Sequence, residues 1–266
     1  VKSVWFCTSC GNESPKWMGR CPACGEWNTM VEETVVTGKK SAVQEQHAVG
    51  SGSKPVPLSS VGFSGESRRS LNNAELDRVL GGGIVEGSLV LIGGEPGIGK
   101  STLSLQIPLA CPQMKTFYVT GEESVRQVKL RAARIGGDDS NCMIYSETLM
   151  ENIIAEARSI MPDLMVVDSV QTMYSQNVES SPGSVSQIKE TAAQLLRFAK
   201  ETGVPVILIG HITKEGSIAG PKILEHIVDV VLQFEGDSRG AYRLLRSIKN
   251  RFGSTSELAV FEMTGK

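Results

Sequence analysis

Eight residues of the chain have the types and spacing of a phosphate-binding loop. They read Gly-Glu-Pro-Gly-Ile-Gly-Lys-Ser from Gly94 to Ser101. Glycines let backbone N–H groups turn toward phosphate oxygens, while a lysine reaches the β- and γ-phosphates and a serine hydroxyl ligates magnesium. The sequence therefore predicts a site for ATP and Mg²⁺, formed by Gly94, Glu95, Pro96, Gly97, Ile98, Gly99, Lys100, Ser101 and Thr102.

Two acidic residues could supply the magnesium ligand and the general base that hydrolysis of ATP needs. Asp168 ends the apolar run that begins at Leu164, and an acid at the carboxyl end of a buried strand can hold magnesium. Glu122 follows another apolar run and is the predicted general base, with Glu123 as the alternative. Both glutamates could instead only open the next helix, where acidic side chains are favoured.

A histidine also stands at the end of an apolar run. His211 closes Val-Ile-Leu-Ile-Gly-His, and such a side chain could contact the γ-phosphate from the carboxyl edge of a sheet. A single histidine in this position could equally be structural. The two interpretations stay open from the sequence.

Four cysteines lie in two closely spaced pairs near the start of the chain. Cys7 and Cys10, then Cys21 and Cys24, form two Cys-x-x-Cys motifs. Paired motifs of this kind are typical of a tetrahedral Zn²⁺ site, and we favour structural zinc over two redox-active pairs. A segment this short needs such a metal to fold.

Composition excludes several function classes. The net charge of −2 gives no overall attraction to nucleic acid or membrane, so a polyanion site must be a local patch. No apolar run reaches the roughly 18–20 residues of a membrane span, and no signal peptide opens the sequence. Because four of the six cysteines are crowded at one end, we expect a reducing, cytoplasmic setting and no disulfide framework.

The elements that must position these residues alternate between strand and helix. This alternation predicts an α/β fold with a mainly parallel central sheet, and three late strands without helices between them predict an antiparallel C-terminal extension. Pro108 should kink or end the helix after the phosphate loop. We predict a zinc-binding module at 1–30, a flexible linker at 31–57 and an ATPase domain at 58–266.

Five segments together resemble the bacterial RadA (Sms) family of DNA repair proteins. They are the four-cysteine module, the phosphate loop, Tyr118-Val-Thr-Gly-Glu-Glu-Ser124, Gly210-His-Ile-Thr-Lys-Glu-Gly216 and Lys249-Asn-Arg-Phe-Gly253. The resemblance covers nearly the whole chain. It implies a RecA-like ATPase core that binds single-stranded or branched DNA, forms a hexameric ring and works with the recombinase RecA in branch migration. The family normally continues into a Lon-like domain, before which this sequence ends.

The resemblance also assigns roles to residues of this chain. It supports Lys100 and Ser101 as phosphate and magnesium contacts and places Glu122 where RecA-like proteins have the hydrolytic glutamate. Lys249 and Arg251 fall in the family's pentapeptide, where they could reach a neighbouring subunit's γ-phosphate or hold DNA phosphates.

Two segments without regular patterning could contact DNA. They are 175–184 and 213–221, and Lys214 and Lys222 supply cations in or beside the second, although both segments could be plain surface loops. We therefore predict a DNA-dependent ATPase motor of recombinational repair. An ATP-switched DNA- or RecA-binding protein is the alternative, and a small-molecule phosphotransferase ranks last because the sequence shows no acceptor pocket or lid.

Overall fold

The computed structural model describes residues 2–35, 57–60, 67–211, 221–236, 240 and 242–264. Within these residues the chain forms a small antiparallel sheet at the N-terminus and a large mixed sheet covered by helices. A two-stranded ribbon and a short 3₁₀ turn at Leu58–Ser60 complete it. No helix of the described ranges is long and apolar enough to cross a bilayer.

The first part of the chain forms the strands of the N-terminal module, then a two-stranded ribbon and one short helix. Their bounds are β1 Lys2–Cys7, β2 Glu13–Ser14, β3 Met30–Val35, β4 Arg68–Arg69, α1 Ala74–Leu80 and β5 Ile84–Val85.

The larger domain continues with the alternation that the sequence predicts. Its bounds are β6 Leu89–Gly94, α2 Lys100–Ala110, β7 Thr116–Thr120, α3 Val125–Ile135, β8 Cys142–Ser146, α4 Met150–Ile160, β9 Leu164–Asp168, α5 Val185–Thr202, β10 Val206–His211, α6 Pro221–Ile227, β11 Val230–Gly236, β12 Tyr242–Asn250 and β13 Leu258–Glu262.

The central sheet has the strand order β13-β12-β11-β6-β10-β9-β7-β8. The six strands from β11 to β8 are parallel, and β12 and β13 extend the sheet as antiparallel strands. The predicted mixed α/β fold is therefore confirmed. One detail differs, because β11 follows α6 and joins the parallel part, so the antiparallel extension has two strands rather than three.

Both faces of the sheet are buried, which explains the continuous apolar runs of its strands. Along β6, Val90 and Ile92 pack in one core cluster while Leu89 and Leu91 pack in the cluster on the other face. Side chains alternate across a strand, so a strand covered on both sides must be apolar at every position.

The strand register brings the ends of four parallel strands to the carboxyl edge of the sheet. Thr120 pairs with Asp168, and His211 pairs with Gly94. Since parallel strands end at the same edge of a sheet, the loops that follow them share one crevice. This edge positions the site described below.

Pro108 does not end the helix that follows the phosphate loop, which is one of the two effects expected of it. Helix α2 runs through Pro108 to Ala110, and its last turn closes with the N–H of Cys111 donating to the carbonyl of Ile107 at 3.0 Å. The proline lies in the last turn, where its missing N–H removes only one helical bond. Buried Ile107 and Leu109 hold that turn against the core.

The predicted boundary of the zinc module also differs from the structure. Strand β3 pairs with β1 along its whole length to Val35, so residues 31–35 belong to the module's sheet rather than to a linker. The rest of the predicted linker, 36–56, lies outside the described residues.

The module packs against the N-terminus of α5. Glu33 accepts hydrogen bonds from the backbone N–H of Val185 at 2.7 Å and from the hydroxyl of Ser186 at 2.6 Å. Phe6 packs against Val185, and the Lys189 ammonium donates to the carbonyl of Gly11. A carboxylate at a helix N-terminus satisfies N–H groups that have no partner within the helix.

Candidate functional site

The phosphate loop, residues 95–99, joins β6 to α2 with glycines where the backbone requires them. Gly97 and Gly99 have φ values of 75° and 110°, a region that residues with a β-carbon rarely adopt. At Gly94 a β-carbon would lie 2.6 Å from the carbonyl oxygen of Phe234 on β11. Ser101 and Thr102 lie in the first turn of α2. A glycine-rich turn that leads directly into a helix N-terminus is the backbone arrangement that binds phosphates.

Lys100 is almost fully buried beneath this loop. Its ammonium donates to the carbonyl oxygens of Gly94 and Glu95, both at 2.9 Å, and lies 3.1 Å from Nδ1 of His211. Burial lowers the pKa of Lys100 from 10.5 to about 8, an effect that the charges of Asp168 and Glu122 partly offset. The amine is thus held at the sheet edge by groups that phosphate oxygens can replace.

His211 connects the lysine with the predicted general base. Its other ring nitrogen, Nε2, lies 3.4 Å from Oε1 of Glu122. The same oxygen accepts a hydrogen bond of 2.5 Å from the hydroxyl of Ser169. The structure therefore brings Lys100, His211 and Glu122 together, as the sequence predicts, and adds Ser169 to them.

Asp168 is positioned by a buried phenol. The hydroxyl of Tyr118 on β7 donates to Oδ2 of Asp168 at 2.9 Å, and lies 3.4 Å from the hydroxyl of Ser104 on α2. Tyr118 has no exposed surface, and its burial raises its pKa well above 10, which keeps it a hydrogen-bond donor at neutral pH. A carboxylate held in one orientation at the carboxyl edge of the sheet suits a magnesium site.

The two neighbouring glutamates have different surroundings. The carboxylate of Glu123 pairs with Arg131 of α3, and its backbone N–H donates to Thr120 Oγ1 at 3.1 Å. Glu122 instead faces His211 and Ser169 at the crevice. This difference favours Glu122 over Glu123 as the base, and the assignment stays a prediction.

Lys249 and Arg251 lie away from this cluster. Lys249 pairs with Val231, which pairs with Leu91, three residues before Gly94. Because β12 runs antiparallel to β11, Arg251 lies farther still toward the amino edge. The structure therefore does not bring the pentapeptide to the phosphate loop of its own chain.

Both pentapeptide cations make contacts within the fold. The Lys249 ammonium donates to the carbonyl oxygens of Glu225 and Val228 at 2.5 and 2.8 Å, at the C-terminal end of α6. Burial and the charge of Arg251 lower the pKa of Lys249. Arg251 is half exposed and lies 3.5 Å from the buried carboxylate of Asp229.

Sequence reasoning missed Ser169 and Tyr118. The signal for Ser169 was its place directly after the strand-end acid. Tyr118 stands inside the buried strand Thr-Phe-Tyr-Val-Thr, where a phenol needs a polar partner. That need is visible in the sequence, although the partner is not.

The four predicted zinc ligands converge on one point. Their sulfur atoms all lie within 4.8 Å of one another, with Cys7 and Cys24 3.7 Å apart and Cys10 and Cys21 3.6 Å apart. Tetrahedral thiolates with bonds of about 2.3 Å have sulfurs about 3.8 Å apart, so the set fits Zn²⁺. Gly11 and Gly25 follow the second cysteine of each motif with positive φ, as the knuckle turns require.

One buried side chain makes hydrogen bonds to the backbone of the first predicted DNA segment, 175–184. Gln187, which is buried, donates to the carbonyl oxygens of Ser175, Val178 and Ser180 and accepts from the N–H of Ser175. The segment has no helix or strand, as expected. Most of the second segment, including Lys214, lies outside the described residues, as does the side chain of Lys222.

Comparison with known families matches both parts of the chain. The family described as AAA domain matches residues 66–217, which is more than half of the chain. The family described as Rubredoxin metal binding domain matches residues 5–32 and therefore contains all four cysteines. These matches agree with an ATPase core and a metal module.

Curated relatives match almost the whole chain. It is 52% identical to a Bacillus subtilis protein named DNA repair protein RadA, over 99% of the chain and 58% of that relative. Proteins of the same name from Listeria monocytogenes and Pseudomonas aeruginosa are 50% and 48% identical, over 97% and 100% of the chain and 57% and 59% of their own lengths. The chain thus spans less than two thirds of these relatives.

Proposed function

Because the chain belongs to the AAA domain family, we propose that it is an ATP-hydrolysing DNA repair enzyme whose turnover is stimulated by DNA. Its similarity to proteins named DNA repair protein RadA supports the repair role. The finer proposal is a motor that moves branched recombination intermediates in cooperation with RecA.

The observation that carries the proposal is the cluster at the carboxyl edge of the sheet. Lys100, His211, Glu122 and Ser169 form a continuous chain of polar contacts beside the phosphate loop. Asp168, held by Tyr118, completes the set. Cations, a carboxylate and loop amides at one edge are what phosphoryl transfer to water requires.

Each residue then has a defined task. The loop amides and Lys100 would hold the β- and γ-phosphates of ATP, and Ser101 and Asp168 would hold Mg²⁺, which neutralises phosphate charge when bound. Glu122 would orient a water molecule and accept its proton on Oε1 or Oε2. His211 would act as a sensor of the γ-phosphate, directly before the segment 212–220.

The position of the pentapeptide supports an assembly of several subunits. Since Lys249 and Arg251 lie toward the amino edge of their own sheet, they can act on nucleotide only in a neighbouring subunit. A hexameric ring would supply that neighbour. Contact with DNA phosphates is the other role open to them.

The test is ATP turnover with and without single-stranded DNA in four proteins: wild type, Glu122→Gln, Glu123→Gln and Lys100→Ala. Wild type should hydrolyse ATP faster with DNA. Glu122→Gln should bind ATP but lose at least about 100-fold in turnover, within the usual range for a general base. Glu123→Gln, whose native carboxylate pairs with Arg131, is the matched control and should retain most activity. Full turnover in Glu122→Gln, or no response to DNA at low salt, would contradict the proposal.

One observation favours a second function, an ATP-controlled switch for DNA or RecA binding. His211 contacts both Lys100 and Glu122, and it is followed directly by 212–220, which includes Lys214. Occupation of the phosphate loop could therefore alter this segment without any motor action. A switch keeps its repair function in Glu122→Gln with ATP bound, whereas a motor stalls. Strand-extension assays with that variant separate the two functions.

A further inference from the structure

Two of the three tryptophans in the zinc module are exposed. Trp17 keeps 56% and Trp27 keeps 69% of its surface open to solvent, whereas Trp5 is partly buried and packs against the cysteine cluster. Large aromatic side chains on the surface of a small metal module expose apolar ring surface to water, which is unfavourable. Such residues often mark a binding surface.

The two exposed indoles are neighbours. Both lie beside Gly19, because a β-carbon at that position would be 3.5 Å from Cη2 of Trp17 and 3.8 Å from Cζ3 of Trp27. Both six-membered rings therefore lie next to a residue that has no side chain. Together they make one aromatic surface rather than two isolated contacts.

The second metal knuckle holds this surface in place. Trp27 pairs with Arg20 in an antiparallel bridge, and the N–H of Asn28 donates to the carbonyl of Gly19 at 2.8 Å. Cys21 lies between these residues and is one of the four predicted zinc ligands. Metal binding would thus fix the tryptophan that is most exposed.

One cation lies beside the Trp27 ring, and another precedes Trp17 in the sequence. The guanidinium of Arg20 lies 5.9 Å from the centre of the Trp27 ring, within cation–π range, and its Nε donates to the carbonyl of Gly25 at 2.7 Å. Lys16 precedes Trp17 and is exposed. The nearby acid, Glu26, accepts a hydrogen bond from the Ser9 hydroxyl.

The surface stays open when the module is docked. The contacts with α5 come from Phe6, Gly11 and Glu33, and the exposures of Trp17 and Trp27 are those of the docked structure. The aromatic surface is thus presented outward by a module anchored to the ATPase domain.

We propose that Trp17 and Trp27, with Lys16 and Arg20, form a stacking surface for the bases and phosphates of single-stranded DNA. Exposed rings interleaved with cations are the arrangement that binds single strands without sequence preference, because every base offers a ring face and every phosphate a charge. This inference rests on the proposed function, which supplies the DNA. It assigns the zinc module a direct part in holding it.

Intrinsic fluorescence tests the proposal directly, because all three tryptophans of the chain lie in the module. A thymidine oligonucleotide of about 30 nucleotides, long enough for several stacking contacts, is titrated into the zinc-loaded chain at low salt. We expect saturable quenching, with the same Kd as fluorescence anisotropy of a labelled oligonucleotide gives. The same titration is repeated with each single Trp→Phe variant. The quenching should decrease in Trp17→Phe and in Trp27→Phe.

Variants then measure the contribution of the surface. Trp17→Ala with Trp27→Ala should weaken oligonucleotide binding at least tenfold, which corresponds to about 1.4 kcal/mol. Trp17→Phe with Trp27→Phe keeps ring faces and should retain most of the affinity. Val31→Ala, which removes an exposed apolar side chain elsewhere on the module, is the matched control and should bind like wild type. Zinc content is measured for each protein, so that loss of the module's fold is recognised.

The outcomes separate this inference from the proposed function. If the double alanine variant keeps its zinc and binds the oligonucleotide like wild type, the stacking surface is wrong, while DNA-stimulated ATP turnover can still stand. If it keeps its DNA affinity but loses self-association or a protein complex, the surface is a protein contact and the proposal is also wrong. If the phenylalanine variant loses affinity as fully as the alanine variant, ring stacking is excluded. Absence of any DNA binding or DNA-stimulated turnover in wild type would remove the proposed function itself.

Discussion

The hydroxyl of Ser169 donates a hydrogen bond of 2.5 Å to Oε1 of Glu122, linking the end of β9 to the loop after β7. Ser169 is completely buried, while the carboxylate of Glu122 is about half exposed. A buried donor can hold an otherwise mobile carboxylate in one orientation, and general-base catalysis depends on that orientation. The relationship makes Ser169 a positioning residue for the predicted base.

Ser169→Ala should lower the kcat for ATP hydrolysis about tenfold and leave KM almost unchanged, because the serine orients the base without touching nucleotide. Steady-state kinetics measures both constants. Ser254→Ala, at an exposed serine remote from the site, is the control. In a Glu122→Gln background the serine substitution should have little further effect, since the group it orients is already lost. A full additional loss there would show that Ser169 acts on something else.

Tyr118→Phe should raise the Mg²⁺ concentration needed for half-maximal turnover several-fold. The ring remains in the core, but Asp168 loses the phenol that holds its Oδ2, and ligand carboxylates depend on such partners for orientation. Titration of ATPase activity with Mg²⁺ measures the shift. Tyr242→Phe removes an exposed hydroxyl and should titrate like wild type. Equal magnesium dependence in all three proteins would rule out this role for Tyr118.

Lys100 should make the stability of the nucleotide-free protein depend on pH. Burial lowers the pKa of Lys100 in the folded chain to about 8, below its ordinary value of 10.5. Between these values the unfolded chain binds more protons, so the free energy of unfolding rises with pH, by up to about 1.4 kcal/mol per pH unit. Below about pH 8 the lysine is charged in both states and the cost of burying its charge is fully present.

Urea unfolding of wild type and Lys100→Met across this pH range measures the effect. As the pH rises from 8 toward 10.5, the free energy of unfolding of wild type should increase relative to that of Lys100→Met. Lys129→Met, at an exposed lysine, is the matched control. Parallel curves for wild type and Lys100→Met would mean that the amine is not desolvated.

Glu33→Ala should loosen the zinc module from α5. The substitution removes the acceptor of the Val185 N–H and the Ser186 hydroxyl, and loss of a helix-capping acceptor costs about 1 kcal/mol. Hydrogen exchange at the first amides of α5 should then accelerate about fivefold, which this energy permits. Glu32→Ala, at the exposed neighbouring position, should leave exchange unchanged. Unaltered exchange in Glu33→Ala would mean that the module is not held there in solution.

Zinc removal should unfold the module and spare the ATPase core. The chain should contain one zinc per molecule, and less than about half an equivalent in a fresh preparation would overturn the four-thiolate assignment. Chelation should change the tryptophan fluorescence, because all three tryptophans lie in the module. The basal ATPase rate should persist, since the phosphate loop and its partners belong to another core.

Local patterns were enough to predict the chemical parts of this protein. The loop from Gly94 to Ser101, the two cysteine pairs and the strand-end positions of Asp168 and His211 each depend on spacing within a few residues. Strands buried on both faces must be apolar throughout, so the alternation of strand and helix was visible too. The approach of His211 to Lys100 and Glu122 followed from parallel strands that end at one edge.

Only the tertiary structure decided which side chains meet across the fold. The bond from Tyr118 to Asp168 joins residues 50 positions apart, and the contact of Glu33 with Val185 joins residues 152 apart. No local pattern encodes such pairs, because they depend on strand register and on the packing of separate units. The same register carries Lys249 and Arg251 away from their own phosphate loop. The sequence by itself determined which reactive and metal-binding residue types the protein has. The packing of the sheet determined which of those residues can act together in one site of a single chain.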